Sequence, residues 1–432
     1  MTIVLRDAGR CAALLIAAAS FLHGGGASAY TLKTLYNFCA AANCADGSEP
    51  SGPLVRDEAG NLFGTASAGG ANDGGTVFEL APDGTETVIA NICAKTPCPD
   101  GQLPASGVIM DTAGNLYGTA LRGGPQQSGV VFELIANPAR TAWKYKVLHH
   151  FCQPSCAAGQ SPNGLTYQGQ ASGALYDGTS PLYGTTAFGG ANDGGVAFSL
   201  TPRGRKWKIA DIHDFCNPTA HCGGEGSMPQ AALVEDASGD LYGTTSFGGT
   251  SNNGGTIFEL RHKRANKWAE TILYAFCPAD FCSDGSDPMA PLILDAAGNL
   301  LGTTSSGGQN GEHNTVFKLV PRGAHSHYSV LYAFCMLQNC ADGSGSEAAL
   351  TLDGSGNLFG TTLSGGDPDS DGGVVFALNP DYHTLYTFCA QASCHDGAQP
   401  VSPLLLDGSG DLTGMTVNGG THGQGEVFEL MP

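Results

Sequence analysis

The feature that most constrains this chain is an internal repeat. The pattern Leu-Tyr-Gly-Thr-Thr, then a Gly-Gly pair, then a strand centred on phenylalanine recurs along the 432 residues. Seven phenylalanines, separated by 52 to 66 residues, mark the copies: Phe78, Phe132, Phe198, Phe258, Phe317, Phe376 and Phe428. Each unit is therefore slightly longer than the kelch repeat of about 50 residues, and the repeat decides the architecture.

Each copy is predicted to form four strands. In the fifth copy we expect strands at 291–294, 299–304, 315–319 and 329–334. A tight turn joins the first two, where Asp295 can cap the turn through its side chain and Gly298 can take a positive φ. Seven such units lie within the four-to-eight-blade range of propellers. The sequence therefore predicts an all-β fold, a seven-bladed β-propeller of four-stranded antiparallel blades.

The two ends of the repeat region are out of phase by part of a blade. The segment 34–38 matches the fourth strand of a unit, as at 331–334, whereas the last copy stops after a third strand at Leu430. We expect the N-terminal strand to complete the last blade, which leaves no open sheet edges between the two ends. Residues 30–432 then form one propeller domain. An open solenoid and two smaller propellers are the alternatives, and neither explains the offset.

The repeat resembles that of the GloVer-type tandem-repeat proteins of bacterial cell envelopes. Their hallmark is Leu-Tyr-Gly-Thr-Thr, Gly-Gly and Gly-Thr-Val-Phe, seen here at 241–245, 248–249 and 75–78. The resemblance covers nearly the whole mature chain and implies an exported, propeller-like protein with no defined activity. Members commonly carry varied C-terminal anchors. This chain shows no anchor after its last strand, so surface attachment is not expected.

The first 29 residues are typical of a signal peptide. Arg6 and Arg10 precede an apolar stretch at 11–22, and Ala27-Ser28-Ala29 supplies the small-residue cleavage pattern. We expect the mature protein to begin at Tyr30 and to be secreted or periplasmic; an N-terminal membrane anchor is the alternative. No later segment is apolar enough to span a membrane. The net charge of −20 disfavours nucleic acid and anionic membranes as partners, because both are held mainly by lysine and arginine.

Beyond Cys11, the cysteines occur as close pairs that directly follow each fourth strand. An even number of cysteines in an exported protein predicts disulfides. Pairing across blades and metal binding are the alternatives, but a structural zinc site needs four converging ligands and each pair offers two. The seven pairs are Cys39/Cys44, Cys93/Cys98, Cys152/Cys156, Cys216/Cys222, Cys277/Cys282, Cys335/Cys340 and Cys389/Cys394.

Catalytic groups are sought among residues that break the repeat. His149 and His213 stand where four other copies have tyrosine, and His150 lies beside the first. A half-buried, structurally satisfied histidine on an outer strand is the simpler interpretation. The third copy is longer, with 167–181 in place of the short turn, and we expect a surface excursion there. The sequence contains no nucleophile elbow, zinc-protease helix or phosphate-binding glycine loop in a suitable structural context.

Two functions follow as hypotheses. The first is a non-enzymatic, extracytoplasmic binding or scaffolding propeller, monomeric, whose partner is a glycan or a cell-envelope protein. The alternative is a polysaccharide lyase or glycoside hydrolase, which rests on analogy with other propellers. Repeat-breaking polar residues clustered at one mouth of the channel would favour the enzyme, and a ring of repeated polar groups would favour binding.

An acidic ring is the predicted binding surface. The loops that carry the cysteines and the loops between second and third strands should share one face. Asp-Gly is also an ordinary turn dipeptide, and the third and fourth copies lack it, so the ring is incomplete. A calcium ion held by hard oxygens or a neutral glycan would fit it, and no other cofactor is expected. The candidate residues are Asp46, Asp100, Asp284, Asp342, Asp396, Asp73, Asp193 and Asp371.

Overall fold

The computed structural model describes residues 30–217, 224–263, 267–278, 281–308, 314–323, 325–367 and 369–432. The proposed signal peptide, residues 1–29, lies outside the described residues. Within them the chain forms strands joined by tight turns and a few short 3₁₀ turns. The strands assemble into the seven antiparallel blades of a β-propeller, as the repeat predicts, with one further two-stranded sheet beside blade 4.

Blades 1 to 3 follow one another along the chain. Blade 1 consists of β2 Ser48–Arg56, β3 Leu62–Ala68, β4 Thr76–Leu80 and β5 Glu86–Asn91. Blade 2 consists of β6 Val108–Met110, β7 Leu116–Ala120, β8 Val130–Ala136 and β9 Trp143–His150. Blade 3 consists of β10 Gln160–Thr166, β11 Leu182–Phe188, β12 Val196–Arg203 and β13 Lys206–Asp214.

Blades 4 to 6 have shorter inner strands. Blade 4 consists of β15 Val234–Glu235, β16 Leu241–Thr245, β18 Thr256–Lys263 and β19 Lys267–Ala275, with β14 Gly226–Ser227 and β17 Phe247–Gly248 paired beside it. Blade 5 consists of β20 Ile293–Leu294, β21 Leu300–Thr303, β22 Thr315–Val320 and β23 His327–Ala333. Blade 6 consists of β24 Thr351–Leu352, β25 Leu358–Thr362, β26 Val374–Leu378 and β27 Tyr382–Thr387.

Blade 7 joins the two ends of the described chain, as predicted. Its strands are β28 Ala398–Pro400, β29 Leu405–Leu406, β30 Leu412–Asn418, β31 Glu426–Met431 and β1 Thr31–Asn37. β1 is the outer strand, and Thr31 pairs with Met431 at one end and Asn37 with Glu426 at the other. Lys33 Nζ also lies 3.0 Å from Glu429 Oε2.

The repeated phenylalanine and the glycine of Leu-Tyr-Gly-Thr-Thr form one packing unit. Gly64 on β3 pairs with Phe78 on β4, and a Cβ added at Gly64 would lie 2.6 Å from Phe78 Cζ. Phe78 is completely buried. Any larger residue at this glycine would displace the ring from the blade core, so the two residues recur together.

Neighbouring blades meet through a glycine and a proline. A Cβ added at Gly75 of blade 1 would lie 2.5 Å from the Pro104 ring of blade 2. Between blades 5 and 6 both residues change, to Asn314 and Ser346. There Asn314 Oδ1 accepts a hydrogen bond from Gly345 N at 2.8 Å, which links the two blades through a side chain.

Every outer strand is interrupted by a β-bulge at the same place. The register shifts by one residue opposite the repeated phenylalanine, and a leucine or isoleucine occupies the extra position. Bulges increase local twist and interrupt regular pairing at a sheet edge. The bulge residues are Leu35, Ile89, Leu148, Ile212, Leu273, Leu331 and Leu385.

The insertion at 167–181 is more than the surface excursion that its length suggests. Tyr176 is completely buried and forms a parallel bridge with Asp111 of blade 2. Its ring lies edge-on to Tyr117, with centroids 5.3 Å apart. The insertion therefore packs into the core between blades 2 and 3, because its aromatic residues supply apolar surface that a polar loop would lack.

Candidate functional site

The cysteine pairs form local disulfides at one face of the propeller. Each bridge closes the loop that leads from one blade's outer strand to the next blade's inner strand, and we call these segments the disulfide loops. Cys222, in the fourth predicted pair, lies outside the described residues. Local pairing is confirmed for the other six pairs, whose cysteines are four or five residues apart: Cys39–Cys44, Cys93–Cys98, Cys152–Cys156, Cys277–Cys282, Cys335–Cys340 and Cys389–Cys394.

The disulfide loops and the Gly-Gly loops lie together on one face. In each of these six loops, the second cysteine accepts a backbone hydrogen bond from a Gly-Gly loop. This contact places the eight candidate aspartates on the same side of the ring. The bonds run from Gly70 N to Cys44 O at 2.9 Å, Gly124 N to Cys98 O at 2.8 Å, Gly190 N to Cys156 O at 2.8 Å, Gly308 N to Cys282 O at 2.8 Å, Gly366 N to Cys340 O at 3.0 Å and Gly420 N to Cys394 O at 2.9 Å.

The aspartates of the Asp-Gly dipeptides face inward, toward their own loops. Asp342 is completely buried and accepts hydrogen bonds from Tyr332 Oη at 2.7 Å, Met336 N at 3.0 Å and Leu337 N at 3.1 Å. Asp46 and Asp396 make the same three contacts in their loops. Asp284 accepts from Tyr274 Oη and Cys277 N. These carboxylates therefore hold the loops in place, and ligand binding by them stays a prediction.

The tyrosine and the aspartate belong to one unit. In the two loops that lack Asp-Gly, the tyrosine is also replaced. His149 takes the tyrosine position and Ala158 the aspartate position in one loop, and His213 and Glu225 take them in the other. Asp100 is the exception, because Ala90 stands at the tyrosine position. Its Oδ2 accepts one hydrogen bond, from Ala94 N at 3.0 Å.

The second set of aspartates caps the Gly-Gly loops. Asp73 Oδ1 accepts from Gly69 N at 2.9 Å, and Asp193 Oδ1 accepts from Gly189 N at 3.1 Å. Asp371 Oδ1 accepts from Gly365 N. All eight candidates thus accept at least one hydrogen bond from the fold.

The repeat-breaking histidines are half-buried as expected, but His149 and His150 are not fully satisfied, because His149 Nε2 and His150 Nδ1 are buried without a hydrogen-bond partner among the described residues. Burial lowers the pKa of His149 to about 4, with a further contribution from the neighbouring charge of His150. His213 Nε2 lies 3.4 Å from Glu270 Oε1 of blade 4, while burial lowers the pKa of His213. Burial, with the charge of Glu225, raises the pKa of Glu270 to about 7. The His213–Glu270 contact joins blades 3 and 4.

A concave site lies in the central channel. It encloses a cavity of about 730 Å³, and residues from all seven blades line it. A volume between about 300 and 1,000 Å³ with a mainly apolar lining and few polar groups is typical of a small-molecule site. Of the cysteines and candidate aspartates that the structure describes, none belongs to this lining. The wall at mid-depth consists of small or apolar positions: Pro53, Gly107, Gly164, Ala232, Pro291, Ala349 and Pro403.

The two ends of the cavity differ in chemistry. Toward the disulfide-loop face, Glu347 and Gln230 contribute polar side chains. At the opposite end Gln170 and Ala171 of the third-copy insertion line the cavity, and Thr166 Oγ1 donates a hydrogen bond to Gln170 Oε1 at 2.7 Å. The insertion therefore helps to shape one mouth of the channel.

Glu347 is a lone carboxylate on an otherwise uncharged wall. At the same position of the inner strand, other blades carry residues such as Ser51, Ala105, Met289 and Val401. Surrounding protein atoms raise the pKa of Glu347, and the nearby charge of Asp287 raises it further. Glu347 is not among the residues predicted from the sequence, although it breaks the repeat.

The described residues hold neither a grouped metal site nor a spanning helix. No cluster of three or more histidine, cysteine, aspartate or glutamate side chains in them is placed to hold a metal ion. Among the same residues, no helix is long and apolar enough to cross a membrane. Calcium binding therefore stays a prediction without a preformed ligand cluster in this part of the chain.

Repeat, closure and disulfide loops together define a class of protein, the disulfide-containing β-propeller. A model of the Gloeobacter/Verrucomicrobia repeat family matches residues 15–181, 177–337 and 269–432. The chain belongs to this family, which confirms the resemblance seen in its motifs. No curated protein matches it.

Solved structures align with this chain at low sequence identity and with TM-scores below 0.5. A protein assigned as a gluconolactonase is 12% identical, covers 94% of this chain and 92% of its own, and has a TM-score of 0.40. An oxidoreductase assigned as a glucose dehydrogenase, from Thermus thermophilus, is 13% identical; the alignment covers 93% of this chain and 100% of that protein, with a TM-score of 0.39. A puromycin hydrolase is 10% identical; the alignment covers 88% of this chain and 52% of that protein, with a TM-score of 0.49. These similarities carry no functional argument.

Proposed function

We propose that this protein is an exported binding propeller whose ligand occupies the central channel. The observation that carries the proposal is the cavity of about 730 Å³, to which all seven blades contribute. Its apolar wall supplies area for burying a ligand, and its few polar groups supply orientation. Export is supported by the disulfide in six described loops, since such bonds persist in oxidising compartments.

Binding is favoured over catalysis because the repeated carboxylates are committed to the fold. Asp46, Asp342 and Asp396 are buried and accept hydrogen bonds from loop amides and tyrosines. A catalytic carboxylate needs access to substrate, and these side chains face backbone. The second binding proposal, a cation or neutral glycan on the disulfide-loop face, would have to use their remaining lone pairs.

A glycoside hydrolase is the second candidate, for one reason. Asp287 and Glu347 lie in adjacent blades, and burial together with the charge of Asp287 raises the pKa of Glu347. Burial also raises the pKa of Asp287. A carboxyl group with a raised pKa beside a second carboxylate is the arrangement that general acid catalysis uses. Hydrolysis of a glycan panel, abolished by Glu347→Gln and by Asp287→Asn, would identify this activity.

Filling the channel tests the binding proposal. Ala232→Phe and Ala349→Phe together would occupy the mid-depth wall, whereas Ala59→Phe adds the same side chain on an exposed turn. A library of small glycans and neutral organic molecules is screened by thermal shift and calorimetry. We expect hits that bind the parent protein and Ala59→Phe and lose at least tenfold in affinity for the filled channel. Hits that bind the filled channel equally well, or a library without hits, would contradict the proposal.

A further inference from the structure

We propose that the channel ligand is an organic cation, an amine or quaternary ammonium with an apolar body, and that Glu347 is its counter-charge. This inference rests on the proposed binding function and specifies its ligand class. It joins two independent observations, the cavity and the single charge on its wall.

Charge complementarity points to a cation. Among the described residues that line the cavity, Glu347 carries the only formal charge, and no lysine, arginine or histidine belongs to the lining. Tyr117 also belongs to the lining, but its hydroxyl donates toward Asp111 and Glu133 inside the blade. An anionic ligand would meet a carboxylate and no compensating base. A cationic ligand would find one ion partner.

The surroundings of Glu347 strengthen such a contact. A ligand that fills the channel would displace water from around Glu347, and the attraction between opposite charges grows as the effective dielectric falls. The carboxylate of Asp287 adds negative potential from the neighbouring blade. A bound ammonium would favour the ionised form of Glu347, because an opposite charge lowers a carboxyl pKa.

The wall distinguishes an organic cation from a metal ion. Calcium takes six to eight oxygen ligands, whereas Glu347 is the only carboxylate among the described residues of the lining. The mid-depth ring of proline, alanine and glycine offers contact area for hydrocarbon. A ligand with a charged head toward the disulfide-loop face and an apolar body along the channel would satisfy both regions.

Glu347 also breaks the repeat, and the folding of its blade does not require a glutamate at this position. Its side chain is exposed within the channel, and the equivalent positions Ser51, Ala105 and Val401 show that the fold accepts small or apolar residues there. A structural requirement would produce the same residue in several copies, as it does for the aspartates of the disulfide loops.

The experiment compares three ligands of one length: hexylammonium, hexanol and hexanoate. Calorimetry with the full mature protein should give the tightest binding for hexylammonium and the weakest for hexanoate. Glu347→Gln should weaken hexylammonium about tenfold and leave hexanol within about twofold. Glu49→Gln, which removes an exposed carboxylate on the same face but outside the lining, should change neither.

The outcomes separate this inference from the function on which it rests. Equal affinity for hexylammonium and hexanol, or an unchanged preference in Glu347→Gln, overturns the inference while channel binding stands. The same result follows if none of the three binds but the channel-filling variant abolishes binding of a library hit. Library hits that bind the channel-filled variant as tightly as the parent protein overturn the proposed function itself.

Discussion

Asp342→Asn is expected to destabilise the disulfide loop between blades 5 and 6. The native carboxylate is completely buried and accepts three hydrogen bonds: from Tyr332 Oη, Met336 N and Leu337 N. Asparagine keeps one acceptor oxygen, and its amide group would face a donor. At least one of the three bonds is therefore lost, and the others lose the charge that strengthens them.

The expected cost follows from those three contacts. Hydrogen bonds to charged groups contribute about 1.5–3 kcal/mol each, and a buried donor without a partner costs a further 1–3 kcal/mol or so. Losing one bond and weakening two should lower the free energy of unfolding by about 2–4 kcal/mol. Asp100→Asn is the matched control, because the Asp100 carboxylate accepts one amide hydrogen bond and Tyr145 Oη donates to the backbone oxygen of Asp100 rather than to its carboxylate. It should cost about 1 kcal/mol or less.

Urea unfolding of the oxidised mature protein and amide hydrogen exchange together measure this effect. The urea midpoint should fall in Asp342→Asn, and the amides of Met336 and Leu337 should exchange faster. A double-mutant cycle with Tyr332→Phe isolates the tyrosine bond, with a coupling of about 1–2 kcal/mol. If Asp342→Asn costs no more than Asp100→Asn, or if the cycle shows no coupling, the tyrosine–aspartate unit does not brace the loop.

Three further predictions follow from the closure, a buried glutamate and the N-terminal segment. Deleting 31–37 should lower the melting temperature substantially, because β31 would lose its outer partner; an unchanged transition would show that this pairing is dispensable. Burial raises the pKa of Glu426 to about 7, with a smaller contribution from the Asp396 charge. The folded state therefore binds this proton more tightly than the unfolded state, so the stability it contributes is present near pH 4.5 and is lost as the pH rises through 7. The urea midpoint should consequently differ less between about pH 5 and pH 8 in Glu426→Gln than in the parent, and an identical difference would refute the assignment. N-terminal sequencing of exported protein should begin at Tyr30, and recovery of Met1 would rule out cleavage.

The repeat architecture could be predicted because its signals are local in sequence. The seven phenylalanines, the strand periodicity and the offset between 34–38 and Leu430 identify the blades and their closure. Pairing of Gly64 with Phe78 explains why the pattern is so regular, since the ring needs the space beside the glycine. Disulfides were predictable for the same reason, because both cysteines of each pair lie in one loop.

The role of the aspartates is marked in the sequence by a fixed spacing from a tyrosine. The tyrosine–aspartate bond always spans ten residues, as in Tyr36 to Asp46 and Tyr386 to Asp396. The sequence shows that copies with His149 and His213 lack the aspartate, so the two substitutions together indicate a contact. Considered separately, the tyrosine-to-histidine change suggests a candidate functional histidine, and the missing aspartate suggests only an incomplete acidic ring.

The channel could not be derived from the pattern alone. Whether an inner-strand residue faces the channel or the next blade depends on register, and the inner strands of blades 4 to 6 pair over only two residues. Glu347 was therefore one of many acidic residues until its position on the wall was known. Likewise, the length of 167–181 gave no sign that Tyr176 would be buried between blades.

The pairing of β1 with β31 has a consequence for the order of events during folding. Lys33 and its partner Glu429 are separated by 396 residues, whereas the cysteines of each described bridge are at most five apart. A chain that emerges from its N-terminus presents β1 first and must leave it unpaired until the last strand appears. Contacts of such long range form late and slow the overall folding rate. During that interval residues 31–37 have no strand partner, so their backbone N–H and C=O groups are open to pairing with the edge of another chain.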